Sequence, residues 1–171
     1  MKTLPGIAIL LALSALPAAA EPANLLGVFG NWTAYSSGSG SSQTCFAMSV
    51  PRARRPAAAK RGPIYLMVSD WPSRKVKGEP QIVYGYPARE GGAAALGVGG
   101  DKYTFFIRNN GDEGSAWLQN ISQNPALIAA MSNGVSAVAS GISKRGTKTV
   151  DTYSLQGFND ALAKIHAVCQ M

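Results

Sequence analysis

Short runs of alternating apolar and polar residues, separated by turns rich in glycine and proline, follow one another along most of this chain. Strands are predicted at residues 29–36, 44–50, 64–70, 81–86, 93–98, 103–108 and 115–119, and Thr147, Thr149 and Val150 favour a further strand. This spacing is typical of a β-sandwich or barrel rather than of alternating strand and helix units. The chain is therefore predicted to be mainly β.

Two segments depart from the strand pattern and are predicted to be helices. The first is short, because Pro125 stands at the start of an apolar run that ends near Gly134 and proline is favoured in the first turn of a helix. The second is C-terminal, with Ser154 as its predicted N-cap. Its apolar residues recur at spacings of three and four and share one helical face, which should pack on the sheet: Leu155, Phe158, Leu162, Ile165 and Cys169.

The N-terminal segment, residues 1–20, has the features of a secretory signal. Lys2 supplies a positive charge, residues 7–16 form an apolar stretch, and Ala20 closes an A-x-A cleavage motif. Cleavage after Ala20 would leave a single domain, residues 21–171, in the periplasm or outside the cell. An uncleaved membrane anchor is the alternative interpretation.

The chain contains two cysteines and one histidine, which is too few for zinc sites of the four-ligand Cys/His type or for iron–sulfur clusters. In an oxidising compartment Cys45 and Cys169 are predicted to form a disulfide bond, and two free buried thiols are the alternative. The bond would join the C-terminal helix to the strand that contains Cys45. Since Phe46 points to the other face of that strand, the helix should lie on the side away from Phe46, or at the end of the strand.

No residue pattern indicates a catalytic site. His166 is interpreted as a structural residue in the last turn of the C-terminal helix, where a positive charge suits the helix dipole. Asp151 is either a turn or cap partner or a functional carboxylate. Asp112 and Glu113 are predicted to face solvent in a hairpin turn.

The glycine cluster at 91–100 is not a phosphate-binding loop, and no nucleophile motif is present. The chain is therefore predicted to lack a cofactor and not to be an enzyme, and a hydrolase using His166 is the least favoured alternative.

The formal net charge of +7 is concentrated in one part of the chain. Between residues 52 and 77 only Asp70 opposes eight cations, which are Arg52, Arg54, Arg55, Lys60, Arg61, Arg74, Lys75 and Lys77. The proline-flanked segment 52–61 is predicted to be solvated and mobile. It is either a charged connector or a contact for an anionic surface such as acidic lipid, lipopolysaccharide or a host polyanion. Nucleic acid is not expected, because aromatic residues are not interleaved with the charges.

Several motifs together resemble one bacterial family. They are Phe-Gly-Asn-Trp-Thr at 29–33, the aliphatic strand before Trp71-Pro72, Ala116-Trp117 after a turn, and the block at 146–162 (GTKTVDTYSLQGFNDAL) that leads to Cys169. This combination is similar to the invasion-associated locus B family of alphaproteobacteria over most of residues 28–170. Many members have further cysteines near the first strand, where this chain has Tyr35 and Ser36, so a second disulfide is not expected.

The resemblance implies an exported domain with an immunoglobulin-like β-sandwich, no cofactor, and in some pathogens a role in entry into host cells. Together with the charge pattern, it leads to the hypothesis of a non-enzymatic envelope or secreted binding protein. Its partner would be an anionic envelope or host surface, met through the basic residues and including peripheral association with a membrane. The alternative is a periplasmic structural or chaperone-like factor that holds a protein partner by a sheet edge or an apolar cleft.

Overall fold

The computed structural model describes residues 22–171, and the predicted secretory signal at residues 1–20 lies outside this range. The described residues form eleven strands and two α-helices, α1 (Asn124–Asn133) and α2 (Phe158–Cys169). The strands are β1 (Asn24–Phe29), β2 (Trp32–Ser37), β3 (Thr44–Ser49), β4 (Ala53–Arg55), β5 (Tyr65–Trp71), β6 (Val76–Val83), β7 (Ala94–Val98), β8 (Asp101–Asn110), β9 (Glu113–Leu118), β10 (Ser136–Ile142) and β11 (Lys148–Ser154).

The strands form one antiparallel sheet in the order β1-β2-β3-β5-β6-β9-β8-β7-β10-β11-β4. The sheet folds back on itself, because residues near its two ends are in contact. Trp32 Nε1 donates a hydrogen bond to the carbonyl oxygen of Ser154 at 2.9 Å, and the backbone N–H of Asn31 donates to the carbonyl oxygen of Gln156 at 3.0 Å. The inner faces of strands from both halves of the sheet therefore enclose one hydrophobic core together with the two helices. The predicted fold class, mainly β with an internal and a C-terminal helix, is confirmed.

Helix α2 covers the inner face of the first strands. Its predicted apolar residues are all buried, and Phe158 meets the ring of Trp32 edge-on with the centroids 4.9 Å apart. Cys45 and Cys169 form the predicted disulfide bond, with their Cα atoms 6.0 Å apart. Cys45 points to the buried side of β3 while Phe46 points to the other side, so the helix lies away from Phe46 as expected.

The predicted cap of this helix is wrong. Ser154 ends β11, and α2 begins three residues after Leu155, with Gly157 in the N-cap position and no side-chain cap. The Ser154 hydroxyl instead accepts a hydrogen bond from the backbone N–H of Gln156 at 3.2 Å. It thus supports the turn that leads into the helix.

The strand predicted at residues 29–36 is also wrong in its first part. Phe29 ends β1, and Gly30 and Asn31 form a two-residue hairpin turn before β2 begins at Trp32. Gly30 has a φ of +57°, a conformation that a residue without a Cβ adopts at low cost. Strands β1, β4 and β10 have no counterpart in the strand assignment made from the sequence.

Candidate functional site

Residues 52–61, the basic segment, begin as a strand rather than as the mobile loop that was expected. β4 pairs with β11 in antiparallel register, with Arg55 opposite Val150. The backbone N–H of Arg52 extends this pairing by donating to the carbonyl oxygen of Thr152 at 2.8 Å. The side chains of Arg52, Arg54 and Arg55 remain exposed. Backbone pairing thus fixes Arg54 and Arg55 on the outermost strand of the sheet, and Arg52 directly before it.

Arg61, at the other end of the basic segment, does not belong to the surface. Its guanidinium donates two hydrogen bonds of 2.7 Å to the carboxylate of Asp151, and the two side chains are 1% and 0% exposed. Arg61 Nε also donates to the carbonyl oxygen of Tyr84 at 2.9 Å, and the guanidinium lies 5.0 Å from the ring centroid of Tyr86. Its inclusion among the surface contacts is therefore corrected, because its hydrogen bonds point into the domain.

Asp151 is neither a turn partner nor a cap, because the alternation of β11 directs it inward. It lies on the same buried face as Thr149 and Tyr153. Burial raises the pKa of the Tyr153 and Tyr84 hydroxyls well above the ordinary value of 10.0, and the nearby negative charge of Asp151 raises both further. The two phenols therefore stay neutral around the buried ion pair.

A cleft of about 610 Å³ opens beside the basic segment. Its exposed cations are Lys60, Lys144 and Arg145. The last two come from the turn after β10, where the backbone N–H of Lys144 donates to the carbonyl oxygen of Pro87 at 2.9 Å. Among the described residues that line the cleft, Asp112 is the one carboxylate, and it is exposed in the hairpin turn as predicted.

Sequence reasoning missed Lys144 and Arg145 as members of this surface. They follow a strand of small residues and precede Gly146, which takes a φ of +91° and allows the chain to turn sharply. Two adjacent cations beside a turn glycine indicate a surface position. The location of this pair beside Lys60 depends on the folding of the sheet, which brings parts of the chain more than 80 residues apart to one cleft.

The remaining predicted contacts, Arg74, Lys75 and Lys77, lie in and after the turn between β5 and β6 and are exposed. The basic segment leads into the start of β5, whereas this turn follows the end of β5. The seven residues of β5 span roughly 20 Å at about 3.3 Å per residue, and Arg74 borders a different cleft from the one that Lys60 lines. The eight cations therefore do not form one patch.

His166 has a carboxylate partner in the structure. Its Nδ1 atom lies 2.7 Å from Oδ2 of Asp70, a fully buried residue whose other carboxylate oxygen accepts a hydrogen bond from the backbone N–H of Gly78 at 2.8 Å. This pair ties α2 to β5 close to the disulfide, since Cys45 and Asp70 are opposite each other in the sheet. Within residues 22–171, no group of three His, Cys, Asp or Glu side chains is arranged to hold a metal ion.

The described residues define an antiparallel β domain whose C-terminal helix is bound to the sheet by a disulfide. In fold, the chain is similar to the crystal structure of invasion associated protein B from Bartonella henselae. The match covers 85% of this chain and 98% of that chain at 15% sequence identity, with a TM-score of 0.56. No family model and no curated protein matches the sequence. The resemblance noted from the sequence is therefore confirmed at the level of the fold.

Within residues 22–171, neither helix combines the length and apolar character needed to cross a lipid bilayer.

Proposed function

We propose that this protein is an exported, non-enzymatic envelope or secreted binding protein that contacts anionic surfaces through its basic segment. The observation that carries the proposal is the position of three exposed arginines at the edge of the sheet: Arg54 and Arg55 on β4, and Arg52 directly before it. Lys60 and the turn cations Lys144 and Arg145 add positive charge at the neighbouring cleft.

Export is supported by two independent features. The N-terminal residues read as a secretory signal cleaved after Ala20, and Cys45 and Cys169 are disulfide-bonded, as is usual for proteins of oxidising compartments. A role linked to host-cell invasion is supported by the fold shared with the Bartonella henselae protein. We place the protein in the periplasm or outside the cell.

The proposal is tested by sedimentation with lipid vesicles. The full mature chain should bind vesicles containing phosphatidylglycerol and not vesicles of phosphatidylcholine alone, and binding should weaken as salt is added. Each cation near an anionic membrane contributes about 1 kcal/mol. Replacing Arg52, Arg54 and Arg55 together with serine should therefore weaken binding by about two orders of magnitude.

A matched control uses the other basic group. Replacing Arg74, Lys75 and Lys77 with serine removes the same charge beyond the other end of β5 and should leave most of the binding intact. An equal loss in both variants would assign the attraction to net charge and would contradict the proposed surface. Arg61 is kept in both variants because it is buried.

The second candidate function, a factor that holds a protein partner, is favoured by the opposite edge of the sheet. β1 is the first strand in the sheet order, and its side chains Leu25 and Val28 are 61% and 66% exposed. An edge strand with exposed apolar side chains can add a strand from another chain.

Val28→Lys distinguishes this function from the first. If a protein partner is held at the β1 edge, its crosslinked complex should survive high salt and the basic-segment substitutions. Val28→Lys should abolish that complex. Val135→Lys is the control, because Val135 is 87% exposed and lies outside β1. A complex that withstands Val28→Lys would rule out the β1 edge as the binding site.

A further inference from the structure

The outer face of the sheet carries an aromatic groove that the basic segment does not reach. Gln81, Trp117 and Phe106 lie opposite one another on β6, β9 and β8. The rings of Phe106 and Trp117 are stacked, with centroids 6.0 Å apart and planes at 29°. Phe106 is 41% exposed, so the stacked pair offers an apolar surface to solvent.

A cleft of about 770 Å³ extends from this pair to Trp71. Trp71 Nε1 donates a hydrogen bond to Glu79 at 3.0 Å, and the Arg74 guanidinium lies 4.3 Å from the Trp71 ring centroid. These contacts fix the orientation of the second indole. Aromatic rings from β5, β8 and β9 therefore line one cleft.

Polar groups line the same cleft. The amides of Gln81 and Gln119 line the groove, and neither makes a side-chain hydrogen bond to another described residue. Glu79 is engaged by Trp71 and by Arg74 at 3.5 Å. Arg108 also lines the groove and forms no ion pair with a carboxylate among the described residues. The groove thus has stacking surfaces, hydrogen-bonding amides and an excess positive charge.

We propose that this groove binds an acidic oligosaccharide. The apolar faces of sugar rings would pack on Trp71, Trp117 and Phe106, because aromatic side chains provide large and rigid contact surfaces. The sugar hydroxyls would exchange hydrogen bonds with Gln81 and Gln119. Arg108 would pair with a sugar carboxylate through charge-assisted hydrogen bonds, for which a guanidinium fork is well suited. This site is separate from the basic segment and does not depend on it.

The test uses tryptophan fluorescence, because two of the three tryptophans line the groove while Trp32 is fully buried. Oligogalacturonate should bind the mature protein and protect its tryptophan emission from acrylamide quenching. A neutral maltooligosaccharide of equal length should bind about tenfold more weakly or worse, since it cannot use the Arg108 charge. Equal binding of the two sugars, or no protection by oligogalacturonate, would overturn the proposal.

Two variants locate the site. Phe106→Ala should weaken oligogalacturonate binding about tenfold, because it removes one ring of the stacked pair. Arg108→Gln should reduce binding of the acidic sugar to the level of the neutral one. The serine triple variant at Arg52, Arg54 and Arg55 is the control and should bind as the wild type does. Loss of binding in that control, with retention in Phe106→Ala, would overturn the site and assign the sugar to the basic segment instead.

Discussion

Arg61 and Asp151 lie 90 residues apart in the chain and are joined by two parallel hydrogen bonds of 2.7 Å in the interior of the domain. The pair connects the end of the basic segment to the strand with which the beginning of that segment pairs. Arg61 has further support, since its Nε also donates a hydrogen bond to the Tyr84 carbonyl oxygen. Removing one member of such a buried pair is strongly destabilising, because the other charge is left in the interior with neither a partner nor water.

Arg61→Met should therefore lower the free energy of unfolding by about 3–5 kcal/mol. Urea unfolding followed by circular dichroism measures the change. The double variant Arg61→Met/Asp151→Leu should recover most of the loss, because it leaves no unpaired charge. Arg55→Met is the control on the same segment and should change stability by no more than about 0.5 kcal/mol, since Arg55 is exposed. A single variant as stable as the wild type would contradict the structural role of the pair.

Tyr153 offers a substitution that should stabilise the protein. Its hydroxyl is buried and has no hydrogen-bond partner among the described residues, so folding removes it from water without compensation. Tyr153→Phe should raise the free energy of unfolding by about 1 kcal/mol. The comparison is Tyr84→Phe, which loses a hydrogen bond of 3.0 Å to the carbonyl oxygen of Ser140 and should lower stability by about 1 kcal/mol. Equal changes in the free energy of unfolding for Tyr153→Phe and Tyr84→Phe would contradict the prediction.

The Cys45–Cys169 bond closes a sequence separation of 124 residues. In the chain-entropy model, a loop of this length corresponds to a stabilisation of roughly 4–5 kcal/mol, as an upper value. Replacing both cysteines with alanine should shift the urea midpoint to a markedly lower concentration. Adding a reductant should shift the wild type to the same midpoint and leave the variant unchanged. A wild type that is insensitive to reductant after complete reduction would contradict the prediction.

Alkaline pH should unfold the protein through its buried tyrosines. The folded-state pKa values of Tyr84 and Tyr153 are raised above the ordinary 10.0, chiefly by burial. Their contribution to stability is therefore complete below pH 10 and is lost as the pH rises toward the folded-state values. Above about pH 10 the free energy of unfolding should fall as the pH rises. Tyr153→Phe should make this fall less steep by about 1.4 kcal/mol per pH unit. Phenolate absorbance corresponding to all six tyrosines while the circular dichroism stays native would contradict this account.

Much of the sheet could be predicted because its strands carry local signals. The runs at 44–50 and 103–108 alternate apolar and polar residues and are bounded by turn residues, and both become strands. β10 was missed because Ser136–Ile142 consists mostly of small residues with little β preference. The turn at Gly30 was missed because two residues can reverse a chain without interrupting its apolar pattern.

The surfaces were harder to predict because they depend on contacts between distant parts of the chain. Arg61 has the same sequence context as its exposed neighbours, and only the inward position of Asp151 separates it from them. The aromatic groove is built from Trp71, Phe106 and Trp117, whose proximity follows from strand register rather than from any local motif. The disulfide was predictable because two cysteines allow one pairing.

The basic segment is fixed at both ends, by the ladder between β4 and β11 and by the buried guanidinium of Arg61. A flexible loop would lose conformational entropy when it settled on a charged surface. Here much of that loss has already occurred during folding, so the cations of β4 form a preorganised array with set spacing. Such an array should discriminate between polyanions by the separation of their charges as well as by their number.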